Sequence, residues 1–389
     1  MPILVPAANG VAGDLPGQRT TFSHAMLREI FEQPCAIADT LAHYLAHGSF
    51  IKERFAAAGT WLDAHDEIVI AASGSSRHAG LAAEIMFEDL SGIPVDVEYA
   101  SEYACRSGRA QKNTALTVIS QSGETGDTLF ALRRGIESGR GTLAITNVTG
   151  SSMAREAGVS LPTCAGVEKA IPVTKSFVTQ LVVLQLLALF AAQERGSLEP
   201  LAVSQKLAEL QAIPAMLSAQ ISLWEREIEQ IATRYRSAAT FLYLGRGVHY
   251  AIAREGALKL KESSYLHAEG YPAGELKHGP NALVSDSVPL VVLATVDHRD
   301  SESVLRYQKT VHLLSDLRMQ GANVLAILNR GDGEVRQLVS HAVEVDPVSE
   351  HLLPLCEVVP LQMFAYFIAV QRGVDVDRPR NLVKSVVTE

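Results

Sequence analysis

The chain has 389 residues, of which 47% are hydrophobic and 20% are charged, and its formal net charge is −9. That length exceeds one ordinary hydrophobic core and predicts two or three domains. The 34 lysines and arginines are scattered through an acidic chain. This argues against a nucleic-acid surface, which needs concentrated positive charge.

Cysteine usage and the amino-terminal sequence indicate a cytoplasmic location. Cys35, Cys105, Cys164 and Cys356 lie far apart without metal-like spacing, so we expect reduced and mostly buried thiols. No signal peptide is evident. The most apolar stretch, residues 178–192, is shorter than the roughly 20 residues of a membrane span. We therefore expect no membrane role.

The first half of the chain shows alternating strands and helices. A Pro- and Gly-rich leader over residues 1–20 precedes helical spacing of apolar residues over 22–58. Strands are predicted over residues 67–72, 95–99, 116–120 and 142–147, and helices over 78–90, 125–138 and 173–193. This alternation is typical of a parallel sheet covered on both faces.

The second half repeats the same order after connecting helices predicted over residues 203–238. Strands are predicted over residues 240–244, 288–294, 324–328 and 343–345, and helices over 248–262, 303–319 and 353–372, the last one amphipathic. Gly74 matches Gly245 and His78 matches His249 at one common offset. We therefore predict a duplicated α/β domain, each copy a doubly wound parallel sheet.

A hydroxyl-rich turn, SQSGET at residues 120–125, separates a predicted strand from a predicted helix. The N–H groups and partial positive charge of a helix N-terminus hold a phosphate without any lysine. The carboxyl end of a parallel strand is also where α/β sheets bind ligands. Residues 73–76, SGSS, are a weaker version of this turn, and Ser76 would add a hydroxyl. The alternative is a plain N-cap in a solvated loop.

A second polar cluster lies on the helix that ends near Glu262 and in the segment after it. Lys259 and Glu262 are three residues apart and share one helix face, which by itself is typical of a surface ion pair. The Gly- and Pro-rich segment that follows carries His267 and His278. A carboxylate and a histidine together move protons beside a sugar carbonyl. An acid–base site and a surface ion pair both remain open.

The carboxyl-terminal segment, residues 375–385, is polar, contains Pro379 and follows a strongly apolar helix. Chain ends are usually frayed and functionally silent. A tail folded over a site would instead place Lys384 there, and a desolvated lysine amine forms a Schiff base with a ketose. Both interpretations are open from these residues alone.

Three motifs together resemble the isomerase half of glutamine-dependent glucosamine-6-phosphate synthase, a family with two SIS (sugar isomerase) domains. They are SQSGET at residues 120–125, ELKHGP at 275–280 and DRPRNLVKS at 377–385. The resemblance begins near Arg28 and covers nearly everything beyond the leader. It implies an α/β fold of two tandem SIS domains, over residues 21–215 and 216–374, with an ordered active-site tail over 375–389.

The resemblance also implies roles for individual residues. Those that bind the sugar phosphate would be Ser76, Ser120, Gln121, Ser122 and Thr125.

Four further residues would carry the chemistry. Glu262, with Lys259 beside it, would move the proton between C1 and C2. Lys384 would form the imine with fructose 6-phosphate. His278 would open the sugar ring, and in the family this histidine comes from the neighbouring subunit, which implies a homodimer.

Several departures from the family pattern surround the sugar site. Ser73 stands where the family has a cysteine, and Arg77 replaces an uncharged residue. Residues 170–173, AIPV, replace a GVAS-type stretch that borders the sugar, which makes Ile171 a sugar-binding candidate. Val383 replaces the alanine beside the imine lysine and is the other candidate. These changes affect the fit of the substrate and remove no catalytic group.

The amino-terminal region decides between the functions considered. The chain starts at Met1 and its first cysteine is Cys35, so we expect no glutaminase domain with a nucleophilic cysteine. The favoured function is a deaminase-isomerase that converts glucosamine 6-phosphate to fructose 6-phosphate and ammonia. The alternatives are an aminotransferase subunit supplied with ammonia by a separate glutaminase chain or by solution, and a non-catalytic sugar-phosphate sensor. No cofactor or metal is expected, because no nucleotide fingerprint or metal-ligand spacing is present.

Overall fold

The computed structural model of the protein describes residues 21–106 and 113–386. The predicted leader over residues 1–20 lies outside this part of the chain, as do residues 387–389 of the predicted tail.

The secondary structure follows the predicted alternation of strands and helices. The helices are α1 (Ala25–Phe31), α2 (Gln33–Tyr44), α3 (Lys52–Asp63), α4 (Gly74–Ser91), α5 (Ala100–Cys105), α6 (Gly126–Glu137), α7 (Ser152–Glu156), α8 (Lys175–Arg195), α9 (Pro200–Tyr235), α10 (Val248–Ser264), α11 (Ser301–Met319), α12 (Gly333–Arg336) and α13 (Leu353–Gln371). Short 3-10 helices cover Ala273–His278, Pro280–Leu283 and Glu350–Leu352. The strands are β1 (Leu45–Ala46), β2 (Ser49–Phe50), β3 (Glu67–Ala72), β4 (Val95–Tyr99), β5 (Thr114–Ser120), β6 (Thr142–Thr146), β7 (Val159–Pro162), β8 (Thr240–Gly245), β9 (His267–Pro272), β10 (Leu290–Ala294), β11 (Val324–Asn329) and β12 (His341–Val345).

Within the described residues, two five-stranded sheets have the orders β4-β3-β5-β6-β7 and β12-β11-β10-β8-β9. All neighbouring strands in both sheets are parallel. When the strands of each half are numbered from its first strand, both sheets have the same doubly wound order, 2-1-3-4-5. The second strand is added on one side of the first strand and the later strands on the other, so the switch point lies between the first and third strands. The predicted pair of doubly wound sheets is confirmed.

Largely apolar sequences, with a few threonines and serines, explain the buried central strands. Every residue of β5, β6, β10 and β11 is buried, as expected for parallel strands covered by helices on both faces. The helix α13 differs from its prediction, because residues 353–369 are all buried and no polar face is present. It is a core helix that packs against α9 and α10 rather than an amphipathic surface helix.

The predicted helical region over residues 22–58 is interrupted by a hairpin. β1 and β2 pair antiparallel across His47 and Gly48, which have φ values of 50° and 75°. Two consecutive residues with positive φ form the hairpin turn that favours glycine in the second position. The helical spacing of the flanking apolar residues concealed this turn.

The connection between the halves is a single helix rather than several. α9 runs for 36 residues and contains Pro214. The predicted boundary between residues 215 and 216 lies inside this helix, so α9 links the two sheets. The boundary itself stays a prediction.

Two helical segments are long and apolar enough to cross a membrane by length and composition, Lys175–Arg195 and Glu350–Gln371. The first is longer than the apolar stretch predicted from the sequence. In each, 94% of the apolar window is buried inside the fold, and core helices pass the same test.

The cysteines are less buried than predicted. All four are free thiols, but Cys35 and Cys105 are exposed and Cys164 is half-buried. Only Cys356, on the core helix α13, is buried. The expectation of mostly buried thiols was wrong because Cys35 lies on an exposed face of α2 and Cys105 ends the short helix α5.

Candidate active site

Two of the predicted loops lie side by side at the first sheet's reversal point. β3 leads into residues 73–76, and its parallel neighbour β5 leads into residues 120–125, here called the SQSGET loop. Because the two strands are adjacent, their carboxyl ends open the crevice in which doubly wound sheets bind ligands. The topology therefore brings Ser76 towards the SQSGET loop.

The SQSGET loop is held by its own hydroxyl groups. Ser120 Oγ lies 2.8 Å from Thr125 Oγ1 and accepts from the Gly123 amide at 3.1 Å. Ser122 Oγ accepts from the Glu124 amide at 3.2 Å. Thr125, at the N-cap of α6, makes no side-chain capping bond. This geometry differs from a plain N-cap, because the hydroxyls of Ser120 and Ser122 accept from amides inside the loop.

Gly123 lets the loop turn this tightly. Its φ is +67°, and a Cβ on it would lie 2.1 Å from Ser151 Oγ. A larger residue would therefore meet both backbone strain and a steric clash. Gln121 contributes its backbone carbonyl, which accepts from the Asn147 amide at 3.1 Å.

The carboxyl-terminal tail lies against this loop. Ser385 Oγ is 3.0 Å from Ser122 Oγ, and the Val386 carbonyl accepts from the Gly126 amide at 2.8 Å. An amide in the first turn of α6 is thereby satisfied by the tail. The described part of the tail is thus ordered over the loop rather than frayed.

Further contacts fix the tail to both halves of the chain. The Asp377 carboxylate accepts from the Ala25 and Met26 amides at 2.8 Å each, at the start of α1. The Asp377 carbonyl accepts from the Ile171 amide at 3.0 Å. In the second half, Tyr265 accepts from the Arg380 amide at 2.8 Å, and the Arg380 guanidinium lies 4.2 Å from the Tyr265 ring centroid.

Lys384 points to a buried carboxylate that the sequence analysis missed. Its Nζ donates to Glu168 Oε2 and to the Ala170 carbonyl, both at 2.6 Å. Glu168 is held in turn by the Thr174 and Ser176 amides, at 3.0 and 3.1 Å. Glu168 lies seven residues before the start of α8, and no sequence motif singled it out.

The pair of Lys259 and Glu262 is not a surface ion pair. Lys259 is fully buried, and its Nζ lies 2.6 Å from Glu262 Oε2 and 3.5 Å from Glu255 Oε1. Burial acts to lower the pKa of Lys259, but the carboxylates of Glu262 and Glu255 outweigh it, so the pKa is raised. Lys259 is therefore a buried ammonium between two carboxylates.

Glu168 links the tail lysine electrostatically to the α10 cluster. Its carboxylate contacts Lys384 and also contributes to the raised pKa of Lys259. In the first half, Ser76 Oγ accepts from Gln180 Nε2 of α8 at 3.1 Å.

The remaining predicted residues lie at the periphery. Ile171 is half-buried and Val383 is 63% exposed. His278 ends the 3-10 helix Ala273–His278 and is exposed. Among the residues that the structure describes, His278 forms no hydrogen bond or ion pair, and thus none with Glu262.

Across residues 21–106 and 113–386, no group of three or more His, Cys, Asp or Glu side chains is arranged to hold a metal ion. The polar groups at the site are instead hydroxyls, amides, two lysines and carboxylates. Such a set binds an anionic, oxygen-rich molecule and transfers protons.

Comparisons with known proteins identify the family of this chain. The family model for the SIS domain matches residues 62–190 and 234–372. The chain is 40% identical over 370 residues to a glutamine–fructose-6-phosphate aminotransferase (isomerizing) of Clostridium tetani. That match covers 95% of this chain but 59% of the relative, so the chain spans about three-fifths of its length.

Solved structures give the same result. The C-terminal domain of the glucosamine-fructose-6-phosphate aminotransferase of Francisella tularensis has a TM-score of 0.85 and 36% identity, covering 92% of this chain and 98% of that domain. A glucosamine-6-phosphate deaminase of Thermotoga maritima has a TM-score of 0.69 at 24% identity, covering 93% of this chain and 99% of that one, and shares the fold. This chain therefore belongs to the SIS domain family, with two SIS regions, and is similar to the isomerase half of these aminotransferases.

Proposed function

We propose that this enzyme interconverts fructose 6-phosphate and glucosamine 6-phosphate, with ammonia as the nitrogen donor or product. The position of Lys384 carries the proposal. Its ammonium contacts the buried Glu168 at 2.6 Å, and the next residue, Ser385, contacts the SQSGET loop. These two contacts support the role of Lys384 as the imine-forming amine, because they hold the tail beside the candidate phosphate-binding loop.

The phosphate would be bound by Ser76, Ser120, Gln121, Ser122 and Thr125. Their hydroxyls and amides, with the N-terminus of α6, supply hydrogen-bond donors and a favourable field for an anion. Ile171 and Val383 would border the sugar itself.

The imine would form at Lys384. After its ammonium has given a proton to Glu168, the amine attacks the C2 carbonyl of the open-chain ketose, and water leaves as the imine forms. In the direction of synthesis, ammonia then displaces the lysine and leaves a ketimine at C2.

Glu262 would carry out the isomerisation. Its carboxylate takes a proton from C1 and returns it to C2, while the proton of the C1 hydroxyl moves to the C2 nitrogen, which gives an aldehyde at C1 and an amine at C2. The Lys259 ammonium beside it stabilises the negative charge that develops on the intermediate. His278 of a neighbouring chain would open the sugar ring, and a homodimer is part of the proposal for this reason.

The relatives favour the direction of synthesis. The Clostridium tetani and Francisella tularensis proteins, at 40% and 36% identity, are aminotransferases. The source of ammonia would be a glutaminase domain, a separate chain or solution. The deaminase direction, favoured from the sequence, runs the same steps backwards and stays a prediction.

The test is a pair of assays on one preparation. Nuclear magnetic resonance should detect glucosamine 6-phosphate formed from fructose 6-phosphate and ¹⁵N-ammonium, and a coupled assay should detect ammonia released from glucosamine 6-phosphate. The ratio of the two rates reports the favoured direction. If a folded protein that binds sugar phosphate shows turnover in neither assay, the proposed function is wrong.

A further inference from the structure

A buried histidine of the first half contacts the helix that carries the acid–base cluster. His78 Nδ1 lies 2.8 Å from Glu255 Oε2, and the two side chains come from α4 and α10. His78 is 8% exposed and Glu255 is fully buried. Because an ionised carboxylate only accepts, the ring nitrogen donates in this hydrogen bond.

Glu255 is in turn the neighbour of Lys259. Its Oε1 lies 3.5 Å from Lys259 Nζ, and the same Nζ lies 2.6 Å from Glu262 Oε2. The three side chains occupy one face of α10 at spacings of four and three residues. His78 is therefore the far end of a continuous chain of contacts that finishes at the candidate proton-transferring carboxylate.

Glu255 is also influenced by the first turn of α4, which carries Ser76. Burial acts to raise the pKa of Glu255, but Lys259, His78 and Ser75 outweigh it, so the pKa is lowered. Ser75 directly precedes Ser76, a candidate phosphate ligand, and His78 lies two residues beyond it. The start of α4 thus connects a candidate phosphate ligand with a carboxylate of the acid–base helix.

Charge explains why the orientation of Glu255 matters. Lys259 is one ammonium between two carboxylates in a buried setting, where Coulombic attraction is strong. If Glu255 loses the hydrogen bond from His78, Lys259 is the cation that remains beside its carboxylate. Lys259 Nζ would then move from Glu262 towards Glu255, and the proton-transferring carboxylate would lose its neighbour.

We propose that His78 is a positioning residue of the isomerase reaction, holding Glu255 so that Lys259 stays directed at Glu262. The inference rests on the proposed function and adds a residue to it that touches no substrate. It predicts that His78 governs proton transfer and leaves phosphate binding intact.

The second half supplies the competing explanation. His249, at the position matching His78, is buried and contacts Glu357 at 2.7 Å and Glu350 at 3.3 Å. Glu350 continues to Arg306, away from Lys259 and Glu262. A buried histidine–glutamate pair can therefore have a purely structural role. The test must therefore include a measurement that a packing role would not change.

Two substitutions of similar polarity separate these roles. The amide nitrogen of an asparagine occupies the place of His Nδ1, whereas that of a glutamine occupies the place of Nε2. His78→Asn therefore keeps the donor to Glu255 and His78→Gln misplaces it. As the matched control, His351→Leu removes the other contact of this kind on α4, between His351 Nε2 and Asp89 Oδ2 at 2.9 Å. Asp89 lies about 16 Å further along α4, at about 1.5 Å per residue.

The measurements are kcat, KM, the kinetic isotope effect with C1-deuterated fructose 6-phosphate, and the Kd of sorbitol 6-phosphate, which has no carbonyl to react. For His78→Gln we expect kcat to fall about 10- to 100-fold, as expected for a misplaced catalytic group. The isotope effect should rise and the Kd should change by less than about 3-fold. His78→Asn should recover most of kcat, and His351→Leu should keep it.

The proposal is overturned if wild type and His78→Gln have equal kcat and equal isotope effects. It is also overturned if His351→Leu loses as much kcat as His78→Gln when the two variants have a similar loss of Tm. If His78→Gln does not fold, His78→Ser, which also lacks the donor at Nδ1, replaces it, and a wild-type isotope effect in that variant overturns the proposal. Wild-type protein without turnover would end the proposed function as well, so the two failures are distinguishable.

Discussion

Lys384 Nζ lies 2.6 Å from Glu168 Oε2, joining the end of the chain to a carboxylate buried in the first half. Burying an ammonium is costly unless a carboxylate and further hydrogen bonds compensate, and Glu168 and the Ala170 carbonyl meet this need. The contact holds the tail in place, and under the proposed function it also supplies an acceptor for the proton that Lys384 would lose before it reacts with a carbonyl.

The first prediction concerns phosphate binding. Ser120→Ala removes a buried hydroxyl that contacts Thr125 Oγ1 and the Gly123 amide. A hydrogen bond to a charged group contributes about 1.5–3 kcal/mol, so KM for fructose 6-phosphate should rise about 10-fold or more, with a smaller change in kcat. Ser138→Ala, at the exposed far end of α6, is the control. Unchanged KM in Ser120→Ala would remove this loop from the phosphate site.

The second prediction concerns proton transfer. Glu262→Gln keeps the shape of the side chain and removes its capacity to accept a proton. We expect kcat to fall about 10²- to 10⁴-fold, the usual contribution of a general base, while sorbitol 6-phosphate binds as before in calorimetry. The control Glu275→Gln changes an exposed glutamate. Turnover within about 3-fold of wild type in Glu262→Gln would assign the proton transfer to another group.

The sequence predicted the framework well because the information there is local. Central strands such as β10, LVVLA, are continuous apolar runs, and the residues that form the turn at 120–125 are consecutive in the sequence. The strand β9 was missed and interpreted as loop, because its residues, HAEGYP, contain a glycine, a proline and a glutamate.

The partners of the site residues were not predictable in the same way. Glu168 and Lys384, or His78 and Glu255, are separated by 216 and 177 residues in the chain and contact each other only in the folded structure. No spacing rule links residues so far apart in the chain. The motifs indicated which side chains to consider, and the fold supplied their neighbours.

The third prediction concerns the neighbouring subunit. If His278 acts on the site of a second chain, His278→Ala and Lys384→Ala should each lose activity as pure dimers. Mixing and refolding the two variants should restore activity, because one site of a mixed dimer then has both intact residues. Size-exclusion chromatography checks that dimers form. If mixed dimers form and stay inactive, each His278 serves its own chain or none.

The fourth prediction concerns stability and pH. Burial acts to lower the pKa of His249, but Glu357 and Glu350 outweigh it and raise it to about 10. Burial acts to raise the pKa of Glu350, but His249, Ser303 and Arg306 outweigh it and lower it to about 2. The stability from His249 is therefore full below about pH 6.5 and lost as the pH rises to about 10. The stability contributed by Glu350 is present above about pH 4.3 and is lost as the pH falls to about 2.

Thermal unfolding at pH 6 to 10 tests this sign. Wild-type Tm should fall as the pH rises, because the unfolded state releases the His249 proton first. Glu350→Gln removes one of the carboxylates that hold the proton, so its Tm should start lower and fall less steeply. Parallel curves for the two proteins would show that the His249 cluster does not set this part of the pH dependence.

The most direct test of the proposed imine at Lys384 is borohydride reduction of the enzyme with fructose 6-phosphate, followed by mass spectrometry of its peptides. Reduction of an imine adds the sugar phosphate to the lysine that formed it. We predict the added mass on Lys384 alone, its loss in Lys384→Ala, and unchanged labelling in Lys277→Ala, where an exposed lysine bonded to Asp316 is removed. A labelled protein in which Lys384 is unmodified, or one labelled equally in Lys384→Ala, would contradict the central claim that this tail lysine reacts with the substrate.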